Sequence, residues 1–387
     1  EVPANTVKDS YNTGGNLGIT SFTFQTAGAG TTSILLYRSG SNSQGVLGQN
    51  DTISRSSPVQ IAGTQWSLDA YTAFGQDEGF SSGYTNGAIK SDGTLWAWGL
   101  NSSGQLGQNS KTYYSSPTQI PGTEWRNLDM SIGKGVATKT DGTGWAWGAT
   151  ASGQLGLNDG VSYSSPIQIP GTQWTRIRGS QARNGTFGFK TDGSLWGWGY
   201  SDFGDLAQND AIPRSSPIQV PGAWSDFNND NYVSGGVKTD GTLWVWGYNN
   251  GGSHAQNAAP IYRSSPIQIP GTQWTSMSAS YHGGAIKTDG TLWIWGNGGE
   301  GQLGLNDRAN RSSPVQIPGT NWTRIEVGQY KTLGFKTDGT LWGWGQNTTG
   351  EYGLNDIINR SSPVQIPGTQ WINANIAFDG INLVKQV

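Results

Sequence analysis

An all-β fold, a seven-bladed β-propeller with about four short antiparallel strands in each blade, is what this sequence predicts. Three observations predict it. One unit recurs seven times along 387 residues. Each unit alternates with the period of a β-strand and lacks a helical pattern. The two chain ends are complementary halves of one unit, so that N-terminal and C-terminal strands together close a ring.

Two signatures define the unit. The first reads Lys-Thr-Asp-Gly-Thr-Leu-Trp-x-Trp-Gly and places its aspartate at Asp92, Asp141, Asp192, Asp240, Asp289 and Asp338, 48 to 51 residues apart. The second reads Ser-Ser-Pro-x-Gln-Ile-Pro-Gly-Thr-x-Trp, with its first proline at Pro58, Pro117, Pro166, Pro217, Pro266, Pro314 and Pro363. Between them runs Gly-Gln-Leu-Gly-x-Asn-Asp, clear at residues 104–109, 153–159 and 301–307. Such a fixed period marks a repeat architecture rather than a row of unrelated domains.

The strand reading follows from alternation. In Leu95-Trp96-Ala97-Trp98 the two indoles share one face and the smaller side chains the other. Asp-Gly just ahead of this strand, with a second alternating segment before it, predicts a two-residue hairpin turn. Pro-Gly-Thr after the second signature predicts another turn, and proline there suits an edge strand. One such sheet cannot bury its own faces; stacking blades radially buries them without a long open edge.

Closure follows from the ends. Fourteen positions separate Trp322 from Lys336 and also Trp371 from Lys385, after which the chain stops in mid-unit. Residues 31–40 supply the missing half, with Leu36 and Tyr37 at the places of Leu95 and Trp96, and residues 45–51 matching the Gly-Gln-Leu-Gly segment. Residues 1–30 are therefore expected to form an N-terminal strand or arm, and residues 31–387 the propeller. Residues 17–24 read as a strand that either adds to a blade or pairs with a neighbouring subunit.

Composition excludes several classes. Twenty-three basic and 26 acidic residues give a net charge of −3, which offers no general attraction to nucleic acid or to an anionic membrane. Without cysteine there is no disulfide, thiolate metal site or cysteine nucleophile. The apolar cluster Ile34-Leu35-Leu36-Tyr37 is far short of the roughly 20 residues of a membrane helix.

A unit reading Asp-Gly-x-Leu-Trp-x-Trp-Gly-x-Asn-x-x-Gly-Gln-Leu-Gly, followed by a proline strand, resembles the regulator-of-chromosome-condensation repeat family over nearly all of residues 31–387. The resemblance implies a seven-bladed propeller with one blade split between the chain ends, serving as a platform for protein contacts rather than for one chemistry. Departures bear on the choice of role. Only Lys8 is basic within the first thirty residues, where the family's exchange factor has a basic tail, and its GTPase-inserting wedge has no counterpart. Tyr281 and Tyr330 occupy the turn that carries light-sensing indoles in the family's photoreceptor. The near-identity of the units, rich in Ser, Thr, Asn and Gly, is similar to secreted bacterial and phage members.

No catalytic, cofactor or metal residues are expected. Each Asp-Gly aspartate stands without carboxylate neighbours, and His254 and His282 fall in separate units without a serine or carboxylate arrangement. The paired tryptophans read as inter-blade packing, with sugar stacking as the alternative. Binding is sought where units disagree. From the second-signature tryptophan to the next lysine is 24 positions at Trp66 to Lys90, about ten more than elsewhere. That insertion carries Phe74, Asp77, Glu78, Phe80 and Tyr84. Corresponding turns carry Arg178 and Arg183, Asp230 and Tyr232, Tyr281 and His282, and Tyr330 and Lys331. Loops of equal rank share one end of a propeller, so these residues define a candidate partner-binding rim. The expected function is a non-enzymatic structural or protein-interaction propeller displayed outside a cell or on a virion, with self-assembly as one form of that contact. A carbohydrate-binding propeller and a GTPase regulator are the rivals.

Overall fold

The structure, a computed structural model, describes residues 19–26, 33–40, 42–63, 65–67, 75–76, 85–131, 133–180, 185–230, 233–249, 251–256, 262–348, 350, 352, 354, 356–369, 371–377 and 380–385; side chains are not described at 19–40, 55–58, 75–76, 230, 372–375 and 377–385. The described elements are all strands, arranged as six four-stranded sheets and one five-stranded sheet, seven blades in all. Blade 2 is typical, with strands Trp125–Ser131, Lys134–Lys139, Gly144–Gly148 and Tyr163–Gln168 paired antiparallel in that order. Blades 3 to 6 repeat it, beginning at Trp174, Trp224, Trp274 and Trp322. In blade 1 the first strand is described at Gly75–Gln76.

The closing blade joins the chain ends. Trp371–Ala377 and Gly380–Lys385 supply its first two strands, and Ser33–Gly40 and Arg55–Gln60 its last two. Ile19–Thr26 lies between the two halves, parallel to Gly380–Lys385 and antiparallel to Ser33–Gly40. The N-terminal strand is thus built into the ring's own seam.

First strands of neighbouring blades pack against one another around the axis, and the fourth strands form the partly exposed circumference. The apolar core is correspondingly a set of layers between blades. In one layer Ile89, Leu95, Ala97, Leu106 and Ile120 of blade 1 meet Trp125, Leu128, Met130, Ala137 and Trp147 of blade 2.

Several signature residues bond blade to blade. The second indole of each of the six pairs is buried, and five donate their N–H to a carbonyl in the preceding blade's Gly-Gln-Leu-Gly loop: Trp98 to Val46 (2.9 Å), Trp147 to Gln105 (2.7 Å), Trp198 to Gln154 (3.1 Å), Trp246 to Asp205 (2.7 Å) and Trp295 to Ser253 (2.9 Å), whereas the buried Trp344 N–H has no such partner. Opposite Trp147 and Trp295 the indole lies over a glycine, and a Cβ on Gly135 would lie 2.3 Å from the Trp147 ring; elsewhere Asn86, Thr186, Ser234 and Thr332 take that position. The motif asparagine reaches forward, its backbone N–H donating to the next blade's first signature serine, as Asn158 does to Ser215 at 2.7 Å. Ser216 then donates its hydroxyl to the Asn158 side chain at 2.9 Å.

The Asp-Gly hairpin differs from the two-residue turn expected. Gly93 donates to Lys90 O and Lys90 N–H to Thr94 O, both at 2.9 Å, which makes a three-residue loop with Gly93 at φ +77°. A type I turn followed by a left-handed glycine suits the strand twist, and glycine takes that conformation at least steric cost.

Candidate protein-docking rim

Gly148, at the end of its blade's third strand, is paired with both Lys134 and Tyr163. The turn joining first and second strands and the loop joining third and fourth therefore leave a blade at the same end. Ala149 N–H to Gly133 O at 2.8 Å and Gln346 N–H to Tyr330 O at 2.9 Å tie the two connections together. This end is the rim to which the sequence assigns binding.

Tyr281 and Tyr330 meet there. They come from equivalent turns of blades 5 and 6, half-buried, with ring centroids 5.9 Å apart and planes inclined by 34°. Gln329 Nε2 donates to the Tyr330 hydroxyl at 3.1 Å. A regularity not anticipated from the sequence is that Tyr84, Tyr232, Tyr281 and Tyr330 each stand six residues before a signature lysine, three of them in consecutive units. Phe74, Asp77, Glu78, Phe80, Tyr84, Arg183 and Tyr232 lie outside the described residues, as does the side chain of Asp230.

Three assigned residues are not on the rim surface. His282 is fully buried at the start of its strand; its Nε2 lies 2.7 Å from Thr332 Oγ1, which itself donates to Gln302 O at 2.8 Å. Because the threonine proton is committed to Gln302, His282 donates through Nε2–H, and burial pulls its pKa down to about 3. Lys331 is 3% exposed at the equivalent position in the next blade. Lys134 shows what that position does, its Nζ donating to Gly185 O of the following blade at 3.0 Å. Alternation explains the placement: His282 shares a strand face with Gly284, where a Cβ would meet Ile325 of the next blade, and with Ile286, which packs in that inter-blade layer. Arg178 belongs to a first strand, where its charge partly offsets the burial that raises the pKa of Asp129 in blade 2.

The axial lining was missed at the sequence level, although first-strand alternation signals it: residues two and four after the strand's tryptophan face the axis. They stitch blades together. Arg176 donates to Phe227 O at 3.0 Å and lies 3.6 Å from the Asp226 carboxylate; Asp226 accepts Met277 N–H at 3.2 Å; Asn228 accepts Ala279 N–H at 3.2 Å; Ser278 accepts Val327 N–H at 3.0 Å. Arg324 is paired with Glu326. Arg176, Asp226, Asn228 and Ser278 are satisfied by the next blade's backbone, whereas Ser276 Oγ and Asp129 Oδ1 are buried without a hydrogen-bond partner.

Residues 92–133 and 289–334 match the family model for the Regulator of chromosome condensation (RCC1) repeat. Both stretches resemble RCC1 repeats and are set in a seven-bladed propeller. Sequence comparison with curated proteins finds no match. Among solved structures, human WBSCR16 superposes with a TM-score of 0.72 at 17% identity, covering 92% of this chain and 99% of that one. Yeast RCC1 (Prp20), in its complex with Kap60, gives 0.68 at 14% identity over 97% and 92%. Prp20p from Saccharomyces cerevisiae, studied for its binding to Gsp1p and histones, gives 0.66 at 15% identity over 93% and 90%. These likenesses concern the fold.

In this propeller the first indole of each pair is half-buried and already engaged. Trp244 donates its N–H to Thr242 Oγ1 at 2.7 Å, and Thr242 donates to Asp240 at 2.6 Å. Lys238 Nζ sits 3.9 Å from the Trp244 ring centroid and 5.3 Å from that of Trp224. The same lysine sandwich recurs at Lys90, Lys139, Lys190, Lys287 and Lys336. A sugar stacking there would have to displace an ammonium from a cation–π contact. Each Asp-Gly aspartate is held below the usual carboxylate range, chiefly by its threonine or serine hydroxyl and then by that residue's N–H. Among the described residues no cluster of three metal-ligating side chains occurs, and no helix is long and apolar enough to cross a membrane.

Proposed function

We propose that this chain is a non-catalytic propeller that binds another protein at the tyrosine-bearing end of its ring. One observation carries the reading. At an end where the signature residues are bonded to neighbouring blades, Tyr281 and Tyr330 from adjacent units stand side by side and half-buried. Tyrosines supply large, rigid contact area with a polar tip, which is why they anchor protein interfaces. The inserted segment between Trp66 and Lys90 belongs to the same class of turn and adds aromatic and acidic side chains. That a yeast propeller of this fold is bound to Kap60, and was studied for binding Gsp1p and histones, supports protein as the partner class. Display outside a cell or on a virion is part of the proposal and rests on the near-identity of the units and their Ser, Thr, Asn and Gly texture.

The test installs a photo-crosslinking residue at position 330, and for comparison at position 240 on the opposite end, in the producing organism. A protein adduct specific to position 330, with affinity lost on Tyr281→Ala/Tyr330→Ala, supports the reading. Glycan-array binding or accelerated nucleotide release from a small GTPase, with no rim adduct, would move the chain to one of the rival classes.

A further inference from the structure

Every large apolar side chain exposed among the described residues falls at one class of connection, in the loop between third and fourth strands or, for Tyr262, at the first residue of the fourth strand. They are Ile53, Tyr113, Val161, Ile212, Tyr262, Ile357 and Ile358, 46% to 65% exposed. Six of the seven units contribute, and the loop at Ala309 is the gap. Four of them, Ile53, Val161, Ile212 and Ile358, stand two residues before the fourth-strand residue that precedes Ser-Ser-Pro, and the others within one residue of that place; a surface that concentrates apolar residues in one class of connection has an interaction site there.

The loop is built to hold these side chains out. At Ile212 the backbone N–H is taken by Asp210 Oδ1 at 3.0 Å and the carbonyl by Arg214 Nη1 at 2.7 Å, while Arg214 Nη2 lies 2.6 Å from Asp210. Ile358 is gripped in the same way by Asp356 and Arg360, and Ala309 by Asp307 and Arg311. Asp51 and Asp159 accept the N–H of Ile53 and Val161 at 2.9 and 3.1 Å. With both backbone groups of Ile212 and Ile358 bonded locally, the main chain that presents each side chain as a knob is fixed and little backbone entropy is lost on contact. Each aspartate–arginine pair cancels its own charge, so identical surfaces meeting there do not repel.

One isoleucine is no interface. A stable one buries about 1,200–2,000 Å2 in total, so several loops must be engaged together. Their pseudo-symmetry puts the knobs on one circle, and the surface that offers apolar residues on a matching circle is a second ring. We propose that this circle of knobs is a self-association surface through which two copies of the chain pair ring on ring. Such an isologous contact closes at the dimer. Both surfaces lie at one end of the ring, so pairing would shield Tyr281 and Tyr330; the test below needs no partner protein and stands or falls separately from the docking reading.

Sedimentation velocity on the full chain across a wide concentration range is the experiment. The parent should move from monomer to dimer. Ile212→Ser should weaken association about tenfold, and Ile53→Ser/Ile212→Ser/Ile358→Ser should stay monomeric with an unchanged thermal melt, since these side chains touch solvent. Ala309→Ile fills the gap and should strengthen association. A parent that is monomeric at every concentration, or a triple variant that dimerises like the parent, overturns the proposal.

Discussion

Trp246 donates its indole N–H to the Asp205 carbonyl of the preceding blade at 2.7 Å, and both groups are out of reach of water. The bond joins the first signature of one unit to the Gly-Gln-Leu-Gly segment of the unit before, and so explains why the two segments recur together. Trp246→Ala should cost about 3–5 kcal/mol in chemical denaturation. Trp246→Phe, which keeps most of the packing but leaves the carbonyl unpaired, should cost about 1–3 kcal/mol. The half-buried Trp244 should cost less than Trp246 when changed to alanine. A Trp246→Ala protein of parental stability would refute the inter-blade role.

Lys238 bridges the Trp224 and Trp244 rings. Lys238→Met retains the aliphatic stem and removes only the ammonium, so a loss of roughly 0.5–1 kcal/mol is expected, measured by urea titration at low and high salt. No loss at either ionic strength would show that the repeated sandwich is packing alone.

Acid should weaken the fold through its two histidines. Burial, followed by the charge of Arg263 and partly opposed by the Gly247 carbonyl, lowers His254 to about 4, and burial lowers His282 to about 3. Each folded value is depressed below the unfolded one near 6.5, so the folded state binds fewer protons. The stability is complete above that value and is lost as pH falls, by about 1.4 kcal/mol per pH unit for each histidine until its folded pKa is reached. His254 stands where Leu47, Leu106, Leu155, Leu206 and Leu303 are buried. His254→Leu should raise the melting temperature at pH 7 and make the slope between pH 6 and 4 shallower by the share of one histidine; an unchanged slope would show that His254 does not titrate with folding.

The repeat made the architecture readable because a propeller imposes the same contacts on every unit, and seven copies of one constraint stand out in a single chain. The sites where reading failed have local causes. His282 and Lys331 look like rim residues because they adjoin the turn, yet strand alternation turns them toward the next blade, the same face as Ile286. Arg178 is a strand residue beside the axis, set against a carboxylate in another unit that no local pattern announces. The Asp-Gly turn was read one residue short because Gly93 serves as the left-handed third loop position. Whether residues 19–26 join the seam is decided by pairing with Gly380–Lys385, a contact between opposite ends of the chain that no local pattern encodes. The exposed isoleucines went unnoticed because single surface apolar residues carry no signal until the fold sets them on a circle.

The central claim is that signature residues bind blade to blade in a ring locked by both chain ends. Removing residues 371–387 takes away the first two strands of the closing blade, leaving the last inter-blade layer, where Ile376 packs with Leu333 and Phe335, open to water. Differential scanning calorimetry of that truncated chain beside the intact one is the most direct measurement. The single cooperative transition of the intact ring should broaden and fall well below its parental temperature, because each blade depends on the next for buried bonds. A truncated chain that melts in one transition at the parental temperature would contradict it.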